Sequence, residues 1–183
     1  MSQEAVDNAL AALPLCAEPW IVDTGCGGGE ILVRALRARP GARGLGVDLD
    51  PEAIAEAGSR AGDLPARFEV RDAATVDGRF DAVINVASSH VHGGFPAALK
   101  ALRGLAPVAL YGEGFWQRSP APDFLAALGN ATEDELADLR WLREAIRDAG
   151  FEILHEWFAS SADWQRYEGT LAAQAEHQIV LVG

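Results

Sequence analysis

Residues 20 to 30, Trp-Ile-Val-Asp-Thr-Gly-Cys-Gly-Gly-Gly-Glu, constrain this chain more than any other stretch. A short apolar run enters glycines at 25, 27, 28 and 29 and continues into helix-forming sequence. Such a strand, loop and helix brings backbone close to a ligand. Glycine permits φ > 0 and has no Cβ in the way, while the helix start offers unpaired N–H groups with partial positive charge. Residues at fixed offsets separate the nucleotide ligands that could use it. The dinucleotide fingerprint G-x-G-x-x-G fits Gly25 and Gly27 but requires glycine where the chain has Glu30, whose carboxylate would face a pyrophosphate. The phosphate loop G-x-x-x-x-G-K-[ST] fails because no lysine follows the glycines, and Lys100 is the only lysine in the chain.

The segments that follow alternate strand and helix patterns. Leu45-Gly-Val-Asp48-Leu49-Asp50 reads as a second strand ending in acid, 25 residues after Asp23. A carboxylate there can accept both ribose hydroxyl protons. Pro51 opens a helix through about Ala61, with Asp50 as N-cap. Residues 67–73, ending in Asp72 and Ala73, read as a third strand. Phe80-Asp-Ala-Val-Ile-Asn85-Val86 reads as a buried fourth, residues 93–103 as a helix, and residues 106–113 as a fifth strand. Residues 114–129 read as irregular. A long helix is expected from a capping box at Thr132 and Glu135 to Gly150, then a strand over 151–158, an inserted helix over 162–175 and a last strand over 178–182.

The motif D-x-G-x-G-x-G, Asp23-Thr-Gly25-Cys26-Gly27-Gly-Gly29, followed by acids at 48 and 72, resembles the class I S-adenosylmethionine (SAM) dependent methyltransferases. The resemblance covers about residues 18–116. It implies an α/β, Rossmann-like, seven-stranded and mostly parallel sheet with strand seven antiparallel and helices on both faces, a three-layer sandwich. It implies SAM as cofactor, with Asp72 and Ala73 at the adenine and with the glycine loop, Asn85 and Val86 near the methionine part. Asp23, Gly25, Cys26, Gly27, Gly29, Asp48 and Leu49 complete the expected cofactor set, and no metal is expected. A narrower resemblance, to bacterial small-molecule methyltransferases of the methyltransferase-domain type 11/25 kind, rests on G-E-x-x-W at Gly112, Glu113 and Trp116. It continues with W-x-x-Y-E at Trp164, Tyr167 and Glu168, to about residue 170.

Length and composition fit one enzyme domain over residues 1–183, with residues 1–17 as an N-terminal helical cap and residues 114–131 and 159–176 as substrate lids. A net charge of −12 and 14 scattered arginines leave no basic footprint for nucleic acid. Two cysteines make no disulfide framework, and no run reaches the ~18 apolar residues of a membrane span. A soluble cytoplasmic monomer or homodimer is expected, with a small-molecule partner and neither nucleic acid nor membrane.

Ligands of open α/β sheets lie beyond the carboxyl ends of the strands. The acceptor is therefore expected near Ala87–Gly93 and Glu113–Trp116, with Trp164 and Tyr167 overhanging. By position His90 and Glu113 are the candidates to accept a proton, and His92, Trp116, Trp164 and Tyr167 to touch substrate. The competing roles are ordinary: a histidine as a polar loop residue, Glu113 as a carboxylate bonding backbone N–H groups, and the aromatics packed on one another. Asn85-Val86-Ala87-Ser88 lacks the two prolines of the D/N/S-P-P-Y/F turn found in enzymes that methylate exocyclic amines of DNA or glutamine, which favours a small metabolite. A nicotinamide-dependent oxidoreductase and a non-catalytic SAM-binding module are the alternatives.

Overall fold

The computed structural model describes residues 3–116, 119–127 and 137–159. They divide into a larger unit, Leu13–Leu154, and a smaller one that holds the helix α1 (Gln3–Ala12) and His155–Ala159. The larger unit runs β1 (Trp20–Thr24), α2 (Glu30–Ala38), β2 (Arg43–Asp48), α3 (Pro51–Ala61), β3 (Ala66–Val70), β4 (Ala82–Val86), α4 (Phe95–Leu105) and β5 (Val108–Gly112). The five strands form one parallel sheet in the order β3-β2-β1-β4-β5.

Each element follows from its residues. Ile21 and Val22 in β1 and Val83 and Ile84 in β4 are fully buried, as continuous apolar runs are in a parallel sheet covered on both faces. In α2, Leu32, Val33, Ala35 and Leu36 are buried while Glu30 and Arg37 face outward, a helical period with one apolar stripe. Asp50 caps α3 by accepting hydrogen bonds from the N–H groups of Glu52 at 2.8 Å and Ala53 at 3.3 Å, with Pro51 at the first helical position. The chain leaves β1 in both directions across the sheet, and right-handed crossovers then send α2 and α3 to one face and α4 to the other. On the α4 face Val22, Val83, Phe80, Leu102 and Leu105 form one cluster. Gly44 lies under Leu32 and Leu36 on the α2 face.

Among the described residues the expected seven-stranded sheet is corrected to five parallel strands plus a separate pair, β6 (Phe115–Trp116) and β7 (Ala137–Asp138), which run parallel to each other. The stretch expected to be irregular thus contains β6 and a short helix, α5 (Pro122–Ala127). The late helix, α6 (Leu139–Asp148), begins at Asp138, whose side chain accepts from the Trp141 N–H at 2.7 Å. Thr132 and Glu135, the cap expected from sequence, lie outside the described residues.

The segment 151–158 forms no strand. The end of α6 supplies the reason. Gly150, at φ +88°, donates to Arg147 O at 2.9 Å, and Phe151 N–H donates to Ile146 O at 3.1 Å. This pair is a Schellman cap, so the first N–H of the expected strand is bound to the helix rather than to a ladder. Leu154, Trp157 and Phe158 are exposed instead of facing a sheet core. The helix at 162–175 and the strand at 178–182 lie outside the described residues. No helix among the described residues is long and apolar enough to cross a membrane.

Gly46 sits mid-strand in β2 under the glycine loop. A Cβ there would lie 2.6 Å from Phe68 Cδ1 and 2.9 Å from Cys26 Sγ. Gly46→Ala should destabilise the protein by ~1–3 kcal/mol through overpacking. A urea unfolding midpoint equal to that of the unmutated chain would contradict this packing account.

Candidate active site

The order of the sheet reverses between β1 and β4, and the glycine loop leaves β1 at that switch point. The loop is closed against β2. Val47 O accepts from Gly25 N–H at 2.9 Å and from Cys26 N–H at 3.0 Å, and Asp48 Oδ2 accepts from Gly27 N–H at 2.8 Å. Asp48 Oδ1 accepts from Asp50 N–H at 3.0 Å. One donor per oxygen leaves lone pairs on both for a ligand.

Gly25 and Gly27 both have positive φ, +76° and +49°, yet they face different surroundings. A Cβ on Gly25 would meet Ser88 Cβ at 2.6 Å, whereas one on Gly27 would meet nothing within 4 Å. Gly25 therefore allows the loop to touch the segment after β4. Gly27 presents bare backbone to open space. Gly29 is closed off, since its Cβ would lie 2.8 Å from both Ala57 Cβ and Phe68 Cε1.

Beneath the loop, Asp23 is 3% exposed. Burial first, and then the charge of Asp48, raise its pKa from 3.8 to about 8. Burial likewise pushes the Cys26 thiol far up, helped by Asp23 and Asp48, and Sγ donates to Gly27 O at 3.5 Å. Cys26 is thus a packed thiol rather than a nucleophile.

The other strand ends complete the edge. Leu49, directly after Asp48, is 66% exposed, an apolar side chain presented to solvent at the mouth of a cleft. Arg71 N–H donates to Asp48 O at 2.9 Å, tying the end of β3 to β2. Asp72 then caps the 3₁₀ turn Ala73–Thr75 by accepting from Ala74 N–H at 2.9 Å. At the end of β4, the fully buried Asn85 donates from Nδ2 to Thr24 O at 2.9 Å, to Thr24 Oγ1 at 3.1 Å and to Ser88 O at 3.3 Å. Its Oδ1 is buried without a hydrogen-bond partner among the described residues. Val86 precedes Ala87, which adopts φ +55° and so turns the chain sharply away from the sheet.

Ser88 was not singled out by the sequence, nor was Thr24. Ser88 Oγ lies 3.1 Å from Gly25 O and 3.0 Å from Val86 O, and with Asn85 it clamps the β4 loop to the glycine loop. Nothing in a single sequence distinguishes such small hydroxyls. Their one signal is register, because Asp23 pairs with Ile84 across β1 and β4, and the turn at Ala87 then brings Ser88 back against Gly25.

His90 and His92 lie on the 3₁₀ turn Ser89–His92. His90 is exposed. His92 instead lies against the Ala73–Thr75 turn, where with Ala73, Ala74, Ala101 and Leu105 it lines a cavity of about 300 Å³. Burial lowers its pKa and Asp72 opposes that shift, while Nε2 is buried without a partner among the described residues. Beyond β5, Tyr111 O–H donates to Glu113 Oε2 at 3.3 Å, and Glu113 Oε1 accepts from Gly114 N–H at 3.0 Å. Burial and the neighbouring Glu113 push the Tyr111 phenol well up, with Ser89 opposing, so it acts as a donor. Trp116 is half-buried in β6. Trp164 and Tyr167 lie outside the described residues. Among the described residues no three His, Cys, Asp or Glu side chains gather to hold a metal.

A family model described as a methyltransferase domain matches residues 21–108, from β1 into β5. The chain is similar to YjhP from E. coli, with 27% identity and a TM-score of 0.81 over 92% of this chain and 73% of that one. It is similar also to a SAM-dependent methyltransferase from Thiobacillus denitrificans solved in complex with S-adenosylhomocysteine. That match has 29% identity and a TM-score of 0.79 over 92% and 72% of the two chains. Among curated proteins, the release factor glutamine methyltransferase of Rhodospirillum rubrum is 42% identical over 89 residues. The match spans 46% of this chain but only 27% of that protein's length. Residues 21–108 thus match a methyltransferase domain, and the chain is similar in sequence and fold to SAM-dependent methyltransferases.

Proposed function

We propose that this protein transfers a methyl group from SAM to a small-molecule acceptor. The observation that carries the reading is the glycine loop locked to β2, with Gly27 opening onto empty space beside the carboxylate of Asp48 and the exposed Leu49. An adenosyl and methionine ligand suits these groups. Asp48 retains lone pairs for two ribose hydroxyls, and Leu49 offers an apolar face for adenine. Asp72 and Ala73 flank the base, and the orphaned Asn85 Oδ1 is an acceptor for the ammonium group of the methionine part, next to Gly25 and Val86. When bound, the sulfonium supplies an electrophilic methyl group that an acceptor lone pair displaces in line.

The protein's tasks are alignment and exclusion of water. The 3₁₀ turn Ser89–His92 and the Glu113–Trp116 segment bound the acceptor side. His90, exposed there, is the group able to receive a proton, while Glu113 has a neutral donor on each oxygen and positions rather than abstracts. His92 contributes from the adenine side of the turn. The expected lid at 159–176, with Trp164 and Tyr167, lies beyond Ala159 outside the described residues.

A small acceptor is supported by the charge of −12 and by the absence of both prolines from Asn85-Val86-Ala87-Ser88. The methyltransferase-domain match ends at residue 108, before Glu113 and Trp116, and leaves the acceptor segments open. With methyl-labelled SAM, a metabolite panel and, separately, release factor protein, label is expected in a small-molecule fraction. Label confined to protein, or no transfer alongside tight SAM binding, would overturn this reading.

The buried Asp23 gives the site a pH signature. The unfolded carboxyl releases its proton near 3.8 and the folded one near about 8, so between these values the folded state holds more protons and stability falls as pH rises. Cofactor-free protein should lose melting temperature from about pH 5 to about pH 8. Asp23→Asn should flatten that slope. An identical slope in the variant would remove Asp23 as its source.

A further inference from the structure

Glu113 immediately follows β5 and leaves the sheet at its carboxyl edge, half-buried. Tyr111 links it to the loop after β4, because the same phenol that donates to Glu113 also interacts with Ser89. Oε2 is held by the Tyr111 O–H and Oε1 by the Gly114 N–H. Both donors are neutral, and among the described residues no Lys, Arg or His forms an ion pair with Glu113. The contrast with the rest of the chain is sharp: Glu30, Glu56, Glu69 and Glu144 each pair with an arginine at the surface.

A half-buried carboxylate without a counter-charge is unfavourable, and neutral hydrogen bonds offset only part of its lost hydration. Here those bonds hold the group at the carboxyl edge of the sheet, directly after β5. Each oxygen keeps a lone pair. Phe115 and Trp116 follow at once on β6, and the net charge of −12 favours cations over anions near the cleft.

We propose that Glu113 is the docking group for a positively charged nitrogen carried by the methyl acceptor, with Tyr111 and Gly114 fixing the carboxylate. The acceptor class is then a small ammonium compound, and neutral or anionic molecules of equal shape are rejected because they leave the carboxylate unpaired. This inference rests on the methyltransferase reading of the cleft.

Choline and its uncharged isostere 3,3-dimethyl-1-butanol differ by one charged atom and serve as the probes. Each is titrated into the protein with and without S-adenosylhomocysteine. Choline should bind at least about tenfold tighter than the alcohol, the lower range of a charge-assisted contact, and the ratio should fall below about threefold in Glu113→Gln. Tyr111→Phe, which keeps the carboxylate but loses one of its two anchors, should lower the ratio less than Glu113→Gln does. Equal binding of the two probes to the unmutated protein, or an undiminished ratio in Glu113→Gln, overturns the docking role. Should Glu113→Gln fail to fold, the comparison in the unmutated protein decides alone, with the preference expected to weaken in high salt. S-adenosylhomocysteine binding is recorded in the same titrations. Its absence overturns the cofactor reading, whereas its presence without a charge preference overturns only the docking of the cation.

Discussion

The hydrogen bond from Gly27 N–H to Asp48 Oδ2 is the contact on which the site depends. A loop of glycines has large conformational entropy, and three anchors on one neighbouring strand end remove it. Val47 O takes the N–H groups of Gly25 and Cys26, and Asp48 takes that of Gly27. The loop thereby inherits the rigidity of β2, which is itself paired on both edges by β1 and β3. In the proposed cofactor reading the same carboxylate that orders the loop also meets ribose, so order and recognition come from one side chain. Asp23, desolvated beneath the loop and secondarily opposed by the charge of Asp48, holds its proton to about pH 8.

The two halves of the cleft are built differently. On the cofactor side, backbone geometry dominates: positive φ at Gly25 and Gly27, the strained turn at Ala87, and hydroxyl and amide clamps from Thr24, Ser88 and Asn85. On the side proposed for the acceptor, side chains dominate, with Tyr111 fixing Glu113 and an aromatic pair following it. A shared cofactor frame with a variable acceptor wall is the usual division of labour in a fold that hosts many substrates.

What could be read in the sequence was what local chemistry fixes. Asp50 followed by Pro51 specified the start of α3 to the residue, because both cap and first-turn preferences are local. Glycines after an apolar run located the loop, and Asp48 fell at the end of β2, while Asp72 lies two residues past β3 as the cap of the following 3₁₀ turn. The rest depended on partners distant in sequence. Phe151–Phe158 has strand-like residues, but the cap at Gly150 redirects its first N–H to Ile146. Asp138 rather than Thr132 caps α6, and β6 finds its partner some twenty residues away in β7. His92 shares a turn with His90 yet lies against Ala73 and Ala74, since the two side chains of one 3₁₀ turn project to different surroundings. The clamp from Asn85 and Ser88 required the register of β1 with β4, which no spacing along the chain reveals.

The central claim is that the locked glycine loop and Asp48 form an adenosyl site rather than a phosphate cradle. Calorimetric titration of S-adenosylhomocysteine into the unmutated chain and Asp48→Ala tests it most directly. One-to-one binding is expected, weakened by ~1–3 kcal/mol in the variant through lost charge-assisted bonds. Absence of binding at millimolar ligand, or an affinity that Asp48→Ala leaves unchanged, would contradict the account.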